Sequence, residues 1–259
     1  MKFRFQILGS SSGGNCAVIS SDSATVLVDA GFSGRKIRDG LKTLGLSLDR
    51  VDAVFFTHEH SDHTAGVPGI SATDGLRFFA NRGTAREIER RYKRALPWNF
   101  FDSGDSFEFR DLRVTTFAIP HDSQDAVGYA FEFGGEKLVW LTDCGKITNL
   151  VRAKLADADA LAIESNYDPE LLNRSDRPEE LKNRIRGTHG HLSNGQCAEF
   201  LAEHDCARLR HVFFAHVSRE CNALDRIAGT SLAAVAGRCG NASVVDPSAF
   251  LPPSAGFGF

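Results

Sequence analysis

One short loop holds a third of the nine histidines of this 259-residue chain. The stretch "FFTHEHSDHTAG" places His58, His60, Asp62 and His63 directly after an apolar run. In an extended or turning loop, His58 and His60 are two residues apart, so both rings can face one point. Asp62 and His63 are adjacent and point to different sides. The loop can therefore supply ligands to two neighbouring metal sites. Its imidazole and carboxylate groups suit zinc, manganese or iron.

Three more residues of ligand type also follow apolar runs. His121 follows the run in "TTFAIPHDS", Asp143 the run in "LVWLTDCG", and His216 the run in "HVFFAHVS". Any one of them could be a surface residue or a buried structural side chain. Because the strand ends of a sheet sandwich gather at one edge, we expect all three to join the histidine loop there.

The elements that must position these residues alternate between strands and helices. Period-two and all-apolar runs predict strands at 3–8, "CAVIS", "TVLVDAG", "VDAVFFT", 106–109, 112–118, 127–133, 137–142, "DALAIES" and "RHVFFAHVS". Helical periodicity and capping residues predict helices from Ser33 to Gly45 and over 84–94, 146–156, 177–186, 193–204 and 222–238. This order favours an α/β (α+β) fold with two packed β-sheets and outer helices, rather than a doubly wound parallel sheet.

The chain shows no linker or repeat, which predicts a single domain over 1–259. Pro and Gly in its last residues predict a flexible tail from about 247 to 259. Its composition of 42% hydrophobic and 24% charged residues is that of a globular protein, and its net charge of -3 gives no global cationic field. Six cysteines without a CxxC pair predict reduced thiols. We expect a cytoplasmic protein without signal peptide or membrane span.

The motif "THEHSDH", together with His121, Asp143 and His216, resembles the dinuclear hydrolases of the metallo-β-lactamase fold over nearly the whole chain. The resemblance implies an αββα sandwich of two mixed β-sheets flanked by helices, with the site at one edge. It also implies two divalent metal ions, zinc or manganese. By this resemblance one ion would be held by His58, His60 and His121, the second by Asp62, His63 and His216, and Asp143 would bridge them.

Further strings are similar to the YycJ or WalJ group, which comprises small bacterial members of this fold. They are "LGSSSGGNC", "PHDSQDAVGY", "ESNYDPELL", "GTHGHLSN" and "AHVSRECN". The group is associated with 5′-to-3′ exonuclease action on single-stranded DNA, so the resemblance implies that substrate.

Two cysteines stand at positions that bear on this resemblance. Cys144 follows Asp143, and cysteine is a ligand in some β-lactamases of the fold, but the strand register favours Asp143 as bridge and Cys144 as a packed thiol. Cys221 stands where the group often has asparagine, and Asn222 follows it.

The mechanistic hypothesis is phosphodiester hydrolysis by a metal-bridging hydroxide. Asp62 would ligate one metal and could orient the nucleophile. His191 is the preferred candidate to protonate the leaving oxygen, because an imidazole titrates near neutral pH, and His189 is the weaker neighbour. The alternative for His191 is a structural residue before a helix that Ser193 or Asn194 caps.

Candidate substrate contacts carry structural alternatives as well. The turn "SSSGGN" could bring backbone N–H groups near a phosphate, or could simply be a tight hairpin. Tyr167 could stack on a base, or could be a packed tyrosine. A basic helix with Arg86, Arg90 and Arg91 could guide a strand, or could be a solvated face. The predicted substrate-binding residues are Ser11, Asn15, Tyr167, Ser193, Asn194 and Asn222.

Two other functions stay open from the sequence. One is a thioester or other small-molecule hydrolase on the same scaffold. The other is a non-catalytic metal-binding regulatory protein, although a complete ligand set counts against it. The identity of the metal, the choice between DNA and RNA, and the oligomeric state are not encoded in any residue identified here.

Overall fold

Two mixed β-sheets packed face to face form the centre of the computed structural model, which describes residues 3–250 and the strand Gly256–Gly258. Within that part of the chain each sheet has seven strands. In the first sheet the order is β14-β1-β2-β3-β4-β5-β6, with β1 Arg4–Ser11, β2 Gly14–Ser20, β3 Thr25–Val28, β4 Ala53–Phe55, β5 Arg77–Ala80, β6 Trp98–Phe100 and β14 Gly256–Gly258. In the second sheet the order is β13-β12-β11-β10-β9-β8-β7, with β7 Ser106–Phe109, β8 Leu112–Ala118, β9 Val127–Phe133, β10 Glu136–Leu141, β11 Ala160–Glu164, β12 His211–Ala215 and β13 Asn241–Val244.

Helices cover the outer face of each sheet. They are α1 Gly34–Thr43, α2 Ser61–Thr64, α3 Val67–Ile70, α4 Arg82–Tyr92, α5 Asn149–Leu155, α6 Pro169–Arg174, α7 Glu179–Arg186, α8 Asn194–Glu203, α9 Leu224–Ile227 and α10 Ala233–Val235. A 3₁₀ turn spans Leu48–Arg50, and a π-helical turn, Ala228–Leu232, joins the last two helices. No helix in the described ranges is both long and apolar enough to cross a membrane.

Three apolar layers hold the four-layer sandwich together. Between the sheets, Phe55 stacks on Phe79 with ring centroids 4.6 Å apart, and Trp140 is fully buried in the same layer. Outside the first sheet, Leu41 of α1 packs in the layer that contains Val54 of β4. β4 thus buries one face against the second sheet and the other against helices, which explains why its sequence is apolar throughout.

Strand direction decides where the functional residues come together. β3 to β6 run parallel, as do β10 to β13, so the carboxyl ends within each group share one edge. β9 runs antiparallel to both β8 and β10, so β8 has the same direction as β10 and its carboxyl end lies at the same edge. A built Cβ at Gly31, after β3, would lie 1.7 Å from the Asp62 carbonyl oxygen. Glycine there lets α2 pack against the end of β3.

The structure confirms the predicted sandwich and the two mixed sheets. Ser33 caps α1 by accepting a hydrogen bond from the Lys36 amide, as expected. The predicted helix over 146–156 begins at Asn149, because Thr148 caps it. The helix expected over 222–238 is interrupted by the π-helical turn. β5, β6, α6 and β13 were missed, being short or weakly patterned. Part of the predicted flexible tail lies outside the described residues, and Gly256–Gly258 pairs antiparallel with β1.

Candidate metal centre

Residues of metal-ligand type line the edge where strand ends from both sheets meet. Each lies at, or a few positions after, the carboxyl end of a strand: Asp29, His58, His121, Asp143, Glu164 and His216. The turn after β4 continues into α2, which adds Asp62 and His63. The site is therefore built from both halves of the chain and depends on the packing of one sheet on the other.

His58, His60 and His121 form the first group. Their ring centroids are 4.6 to 5.0 Å apart, and His121 Nε2 lies 3.3 Å from His60 Nδ1. Two nitrogens bound to one tetrahedral zinc at 2.0–2.1 Å would be separated by about 3.3 Å. His58 Nε2 is buried and has no hydrogen-bond partner within the described residues. The group thus has the spacing and an uncommitted donor atom that a metal site requires.

Asp62, His63 and His216 form the second group. Asp62 Oδ2 lies 3.5 Å from both His63 Nε2 and His216 Nε2. The three donor atoms fall within 4.8 Å of one another. Both histidines are buried, whereas the Asp62 side chain is 23% exposed. Asp62 consequently faces the open side of the site.

Asp143 lies between these groups. Its Oδ2 is 3.1 Å from His63 Nε2, and its Oδ1 is 3.6 Å from His121 Nε2 and 3.5 Å from His216 Nδ1. One carboxylate therefore reaches residues of both groups. The structure brings together all seven predicted ligands, in an arrangement compatible with the predicted bridging role of Asp143.

Asp29, which was not predicted as a site residue, orients His63 from the side away from the cluster. His63 Nδ1 lies 2.7 Å from Asp29 Oδ2, while the Thr57 amide and hydroxyl also donate to Asp29. With the Thr57 hydroxyl committed to Asp29, His58 Nδ1 can donate to Thr57 Oγ1 at 3.0 Å. Both rings are thereby held with Nε2 toward the site, the arrangement by which a second layer of residues prepares metal ligands. The signal for Asp29 in the sequence was its place directly after β3.

The backbone is unusual at three of these residues. Asp29, Asp143 and His216 have φ values of 60°, 57° and 49°. The left-handed region is uncommon for residues other than glycine, and such conformations concentrate at functional sites. At these positions the chain turns sharply off its strand, which aims the side chain along the sheet edge.

Buried Glu164 and half-buried His191 add an ion pair beside Asp143. Glu164 Oε1 lies 2.8 Å from His191 Nδ1, and Glu164 Oε2 accepts a hydrogen bond from the Cys144 amide. His191 Nδ1 is also 3.6 Å from Asp143 Oδ1. The structure thus places the predicted proton donor at the site. Glu164 was missed, although it ends the predicted strand "DALAIES" and so showed the same strand-end signal as the other residues.

The electrostatics of the cluster match those of a cation site. Burial, aided by His63, holds the pKa of His58 well below its ordinary value, and burial also lowers that of His121, so both rings are neutral and able to ligate. Burial would raise the pKa of Asp143, but His216 and His63 outweigh it and hold the pKa well below its ordinary value. Burial would lower the pKa of His216, but Asp143, Asp62 and Glu164 raise it to about 10. The positive charges of His216 and His63 thus balance the negative charges of the carboxylates around them.

Asp122, which was not predicted as a site residue, is a further acidic residue at the rim of the site. Its Oδ1 lies 3.4 Å from His121 Nε2 and 4.0 Å from His60 Nε2. Its other oxygen pairs with Arg184 of α7. The pair links the segment between β11 and α8 to the first group of histidines.

Of the predicted substrate contacts, Asn15 is the one that touches the cluster. Its Nδ2 lies 3.0 Å from His63 Nε2 and 3.4 Å from Asp62 Oδ2, and the residue is fully buried. Ser11 is buried too, and its hydroxyl accepts a hydrogen bond from the Gly13 amide inside the β1–β2 hairpin. Neither side chain is open to solvent. Ser11 belongs to a tight hairpin, which was the structural alternative for this turn.

The other four predicted substrate contacts make contacts within the protein. Tyr167 is only 4% exposed and packs with Leu172 and Ile185, so its ring offers no face to a base. Ser193 forms a capping box with Gln196 at the start of α8. Asn194 is buried and accepts hydrogen bonds from Ser165 and Asn222, while Asn222 also donates to the carbonyls of 165 and 166.

Cys144 occupies the packed position that the strand register predicted. It is fully buried, its thiol donates to the Lys146 carbonyl at 3.2 Å, and burial together with Glu164 raises its pKa to about 12. Cys221 is buried beside Tyr167. His189 is exposed, and His204 packs against Phe200, away from the cluster. On the basic helix α4, Arg90 pairs with Glu87, as on a solvated face.

Comparison with known proteins gives a consistent picture. A family model described as the beta-lactamase superfamily domain matches residues 24–216. The chain is 32% identical over 225 residues to exodeoxyribonuclease YycJ from Bacillus anthracis, which covers 86% of this chain and 85% of that protein. It is 32% identical over 224 residues to exodeoxyribonuclease WalJ from Streptococcus pneumoniae, covering 85% and 83%.

Solved structures agree on the fold. The metallo-beta-lactamase fold protein YhfI from Bacillus subtilis superposes with a TM-score of 0.72 at 16% identity, covering 100% of this chain and 98% of that one. At that identity the likeness concerns the fold alone.

Proposed function

The chain belongs to the beta-lactamase superfamily and is a metal-dependent hydrolase, and from this premise we propose that it is an exodeoxyribonuclease that digests single-stranded DNA from the 5′ end. Two relatives named exodeoxyribonuclease align with more than four fifths of the chain. The preference for single-stranded DNA and the 5′-to-3′ direction in this proposal rest on the sequence motifs that resemble their group. A cytoplasmic location belongs to the same proposal.

The observation that carries the proposal is the convergence of both ligand groups on Asp143. His63 Nε2 of the second group is 3.1 Å from Asp143 Oδ2, and His121 Nε2 of the first group is 3.6 Å from Asp143 Oδ1. We propose that His58, His60 and His121 hold one divalent cation, that Asp62, His63 and His216 hold another, and that Asp143 bridges them. Nitrogen and carboxylate donors of this kind accept zinc or manganese.

Two cations held this way would activate a water molecule and neutralise charge on the phosphoryl oxygens, as in other two-metal sites. The protein side chains would do the rest. Asp62 is the carboxylate of the second group and its side chain is 23% exposed, so it can accept a hydrogen bond from the attacking water and orient it. Asp29 and Thr57 keep the rings of His63 and His58 from turning.

His191 would deliver the proton that the leaving oxygen needs. As the water oxygen bonds to phosphorus and gives up a proton to solvent, the ester P–O bond would break, and the departing oxygen would take the proton from His191 Nε2. Glu164 holds Nδ1 of the same ring, which fixes the ring orientation and stabilises its charged form. Burial would lower the pKa of His191, but Glu164 and Asp143 outweigh it and raise the pKa above its ordinary value, which favours the protonated ring that a proton donor needs.

A nuclease assay with end-labelled substrates tests the proposal. Single-stranded and double-stranded DNA and RNA, each labelled at the 5′ or the 3′ end, are incubated with the protein in added zinc or manganese. We expect the 5′ label on single-stranded DNA to be released first as a short product, and the 3′-labelled strand to shorten progressively.

An acyl-glutathione thioester is the comparison substrate, since a thioester hydrolase is the alternative on this scaffold. Thioester turnover without DNA cleavage would refute the proposal. Release of the 3′ label first would refute the polarity, and equal digestion of RNA would refute the preference for DNA.

A further inference from the structure

Two cationic side chains, Lys36 and Arg219, lie beside the β1–β2 hairpin, next to the metal centre but not in it. The hairpin is tied to the centre at its base. The His216 amide donates to Ser10 Oγ at 2.8 Å, and Ser11 forms a bridge with Val217. The segment after His216 therefore leaves the site alongside the hairpin, and Arg219 is three residues along it.

Arg219 lies directly over the hairpin turn. A Cβ built on Gly13 would be 2.9 Å from Arg219 Nη1 and 3.3 Å from Nη2, so the guanidinium can approach only because residue 13 is glycine. Arg219 Nε donates to the Pro247 carbonyl at 2.8 Å, which fixes the side chain. The terminal nitrogens make no hydrogen bond to the described residues, and Arg219 is exposed. The guanidinium group is thus held at Nε, and its two terminal nitrogens can donate to a ligand.

Lys36, in the first turn of α1, lies over the Phe32 ring, which also packs against the β1–β2 hairpin. Its Nζ is 4.4 Å from the centroid of the Phe32 ring and 4.5 Å from that of Phe250. The Phe32 ring also lies 2.6 Å from a Cβ built on Gly14, so it packs under the turn that Arg219 covers. The ammonium group has two aromatic faces as neighbours and, in the described part of the chain, no carboxylate within ion-pair distance.

The two like charges are close enough to oppose each other. Burial, and then the charge of Arg219, lowers the pKa of Lys36. The acidic residue that faces Arg219 is Asp246, whose carboxylate is engaged by the amide and hydroxyl of Ser248 at 2.8 and 2.6 Å. Asp39, on the same helix as Lys36, lies 3.9 Å from Arg35 instead. Among the described residues no carboxylate lies within ion-pair distance of either cation, so the two can attract an anion from solution.

We propose that Lys36 and Arg219 form a subsite for a phosphate group of the DNA strand, at a nucleotide next to the one being cleaved. The proposal rests on the nuclease function above and adds the place where the strand is held. A guanidinium fork and an ammonium group are suited to phosphate oxygens, and an exposed glycine turn lets a strand approach closely. Because the hairpin borders the second ligand group through Asn15, a strand bound here leads directly into the metal centre.

Binding measurements test the subsite without requiring turnover. The probe is a fluorescent single-stranded oligonucleotide with phosphorothioate linkages that resist hydrolysis, and anisotropy reports its affinity for the metal-loaded protein at several salt concentrations. We expect Lys36→Gln and Arg219→Gln each to weaken binding about tenfold. Each should also reduce the slope of log affinity against log salt by about 0.7, the value for one phosphate contact on a single strand.

Matched variants separate charge from folding. Arg35→Gln removes an adjacent charge whose side chain is 90% exposed, and it should bind like the wild type. Lys36→Arg and Arg219→Lys keep the charge and should retain most of the affinity, even if Lys36→Gln proves unstable. Melting temperature and metal content identify variants that fail to fold.

The outcomes distinguish the subsite from the nuclease function. Affinities of Lys36→Gln and Arg219→Gln within twofold of the wild type, or an equal loss in Arg35→Gln, would overturn the subsite, as would a wild-type protein that does not bind the probe. If the variants weaken binding but end-labelled DNA is not cleaved, the nuclease proposal fails and the subsite stands. If DNA is cleaved and the variants bind normally, the subsite alone fails.

Discussion

Glu164 Oε1 lies 2.8 Å from His191 Nδ1, and this pair lies beside Asp143 at the edge of the sandwich. The carboxylate is fully buried, whereas the side chain of His191 is 21% exposed. Glu164 therefore acts on the substrate only through the ring that it holds, which makes it a positioning residue for the proposed proton donor.

Replacing His191 with alanine should lower kcat on DNA about 100-fold or more, the usual contribution of general acid catalysis. The loss should be much smaller on a thymidine phosphodiester with a p-nitrophenyl leaving group, which departs without a proton. His189→Ala is the matched control, since this exposed neighbour should leave both rates unchanged. Equal losses on both substrates would contradict proton donation by His191.

Glu164→Gln should shift the pH profile in one direction. Glu164 raises the pKa of His191, so removing its charge lowers that pKa. A general acid loses activity as the pH rises through its pKa. The alkaline fall of kcat should therefore begin at lower pH in the variant than in the wild type, as measured on DNA from about pH 6 to 10. A fall that moves to higher pH would show that His191 does not act as the acid.

Asp29→Asn should weaken metal binding without removing any ligand. The carboxylate holds His63 Nδ1 at 2.7 Å, and the asparagine keeps its size and tolerates the left-handed backbone at φ 60°. Loss of such an outer partner typically costs 10- to 100-fold in metal affinity. Metal content after dialysis against graded chelator measures it, with the exposed Asp39→Asn as control. Unchanged retention would mean that His63 is oriented by other contacts.

Metal removal and Asp143→Asn should have the same effect on activity. Asp143 reaches both ligand groups, so the neutral side chain should release at least one cation per chain and reduce DNA cleavage by about 1,000-fold or more. Chelated wild-type protein should also melt at lower temperature, because ions that bind the folded state stabilise it. Cleavage that persists in fully metal-free protein would end the two-metal proposal.

Cys144→Ala should leave metal content and DNA cleavage unchanged. The thiol is buried, donates to the Lys146 carbonyl, and has its pKa raised to about 12 by burial and by Glu164, so it is held as a neutral thiol, and it belongs to none of the clusters of ligand-type atoms. The expected cost is about 1 kcal/mol in the free energy of unfolding, from the lost packing. Denaturant titration and metal analysis measure the two effects. In the native protein, iodoacetamide should react with the partly exposed Cys239 before Cys144.

The sequence by itself determined the seven ligand-type residues and the layered sandwich. Periodicity marks strands locally, and a strand that is apolar throughout, such as the one ending before His58, must be buried on both faces. Side chains that follow strands of the same direction share the edge at which those strands end, so the strand-end positions of His121, Asp143 and His216 predicted that they join the loop of His58.

Only the tertiary structure decided which polar residues support the site and which belong to the interior. Asp29 and Glu164 lie at strand ends like the predicted ligands, but their roles come from His63 and His191, each more than 25 positions away along the chain. Tyr167 and Asn194 lie in strings typical of the group, yet they pack inward, because contacts with Leu172 and Asn222 bury them. Hydrogen bonds and burial between distant segments are not written in local residue patterns, and the approach of Lys36 to Arg219 is likewise set by the folded chain.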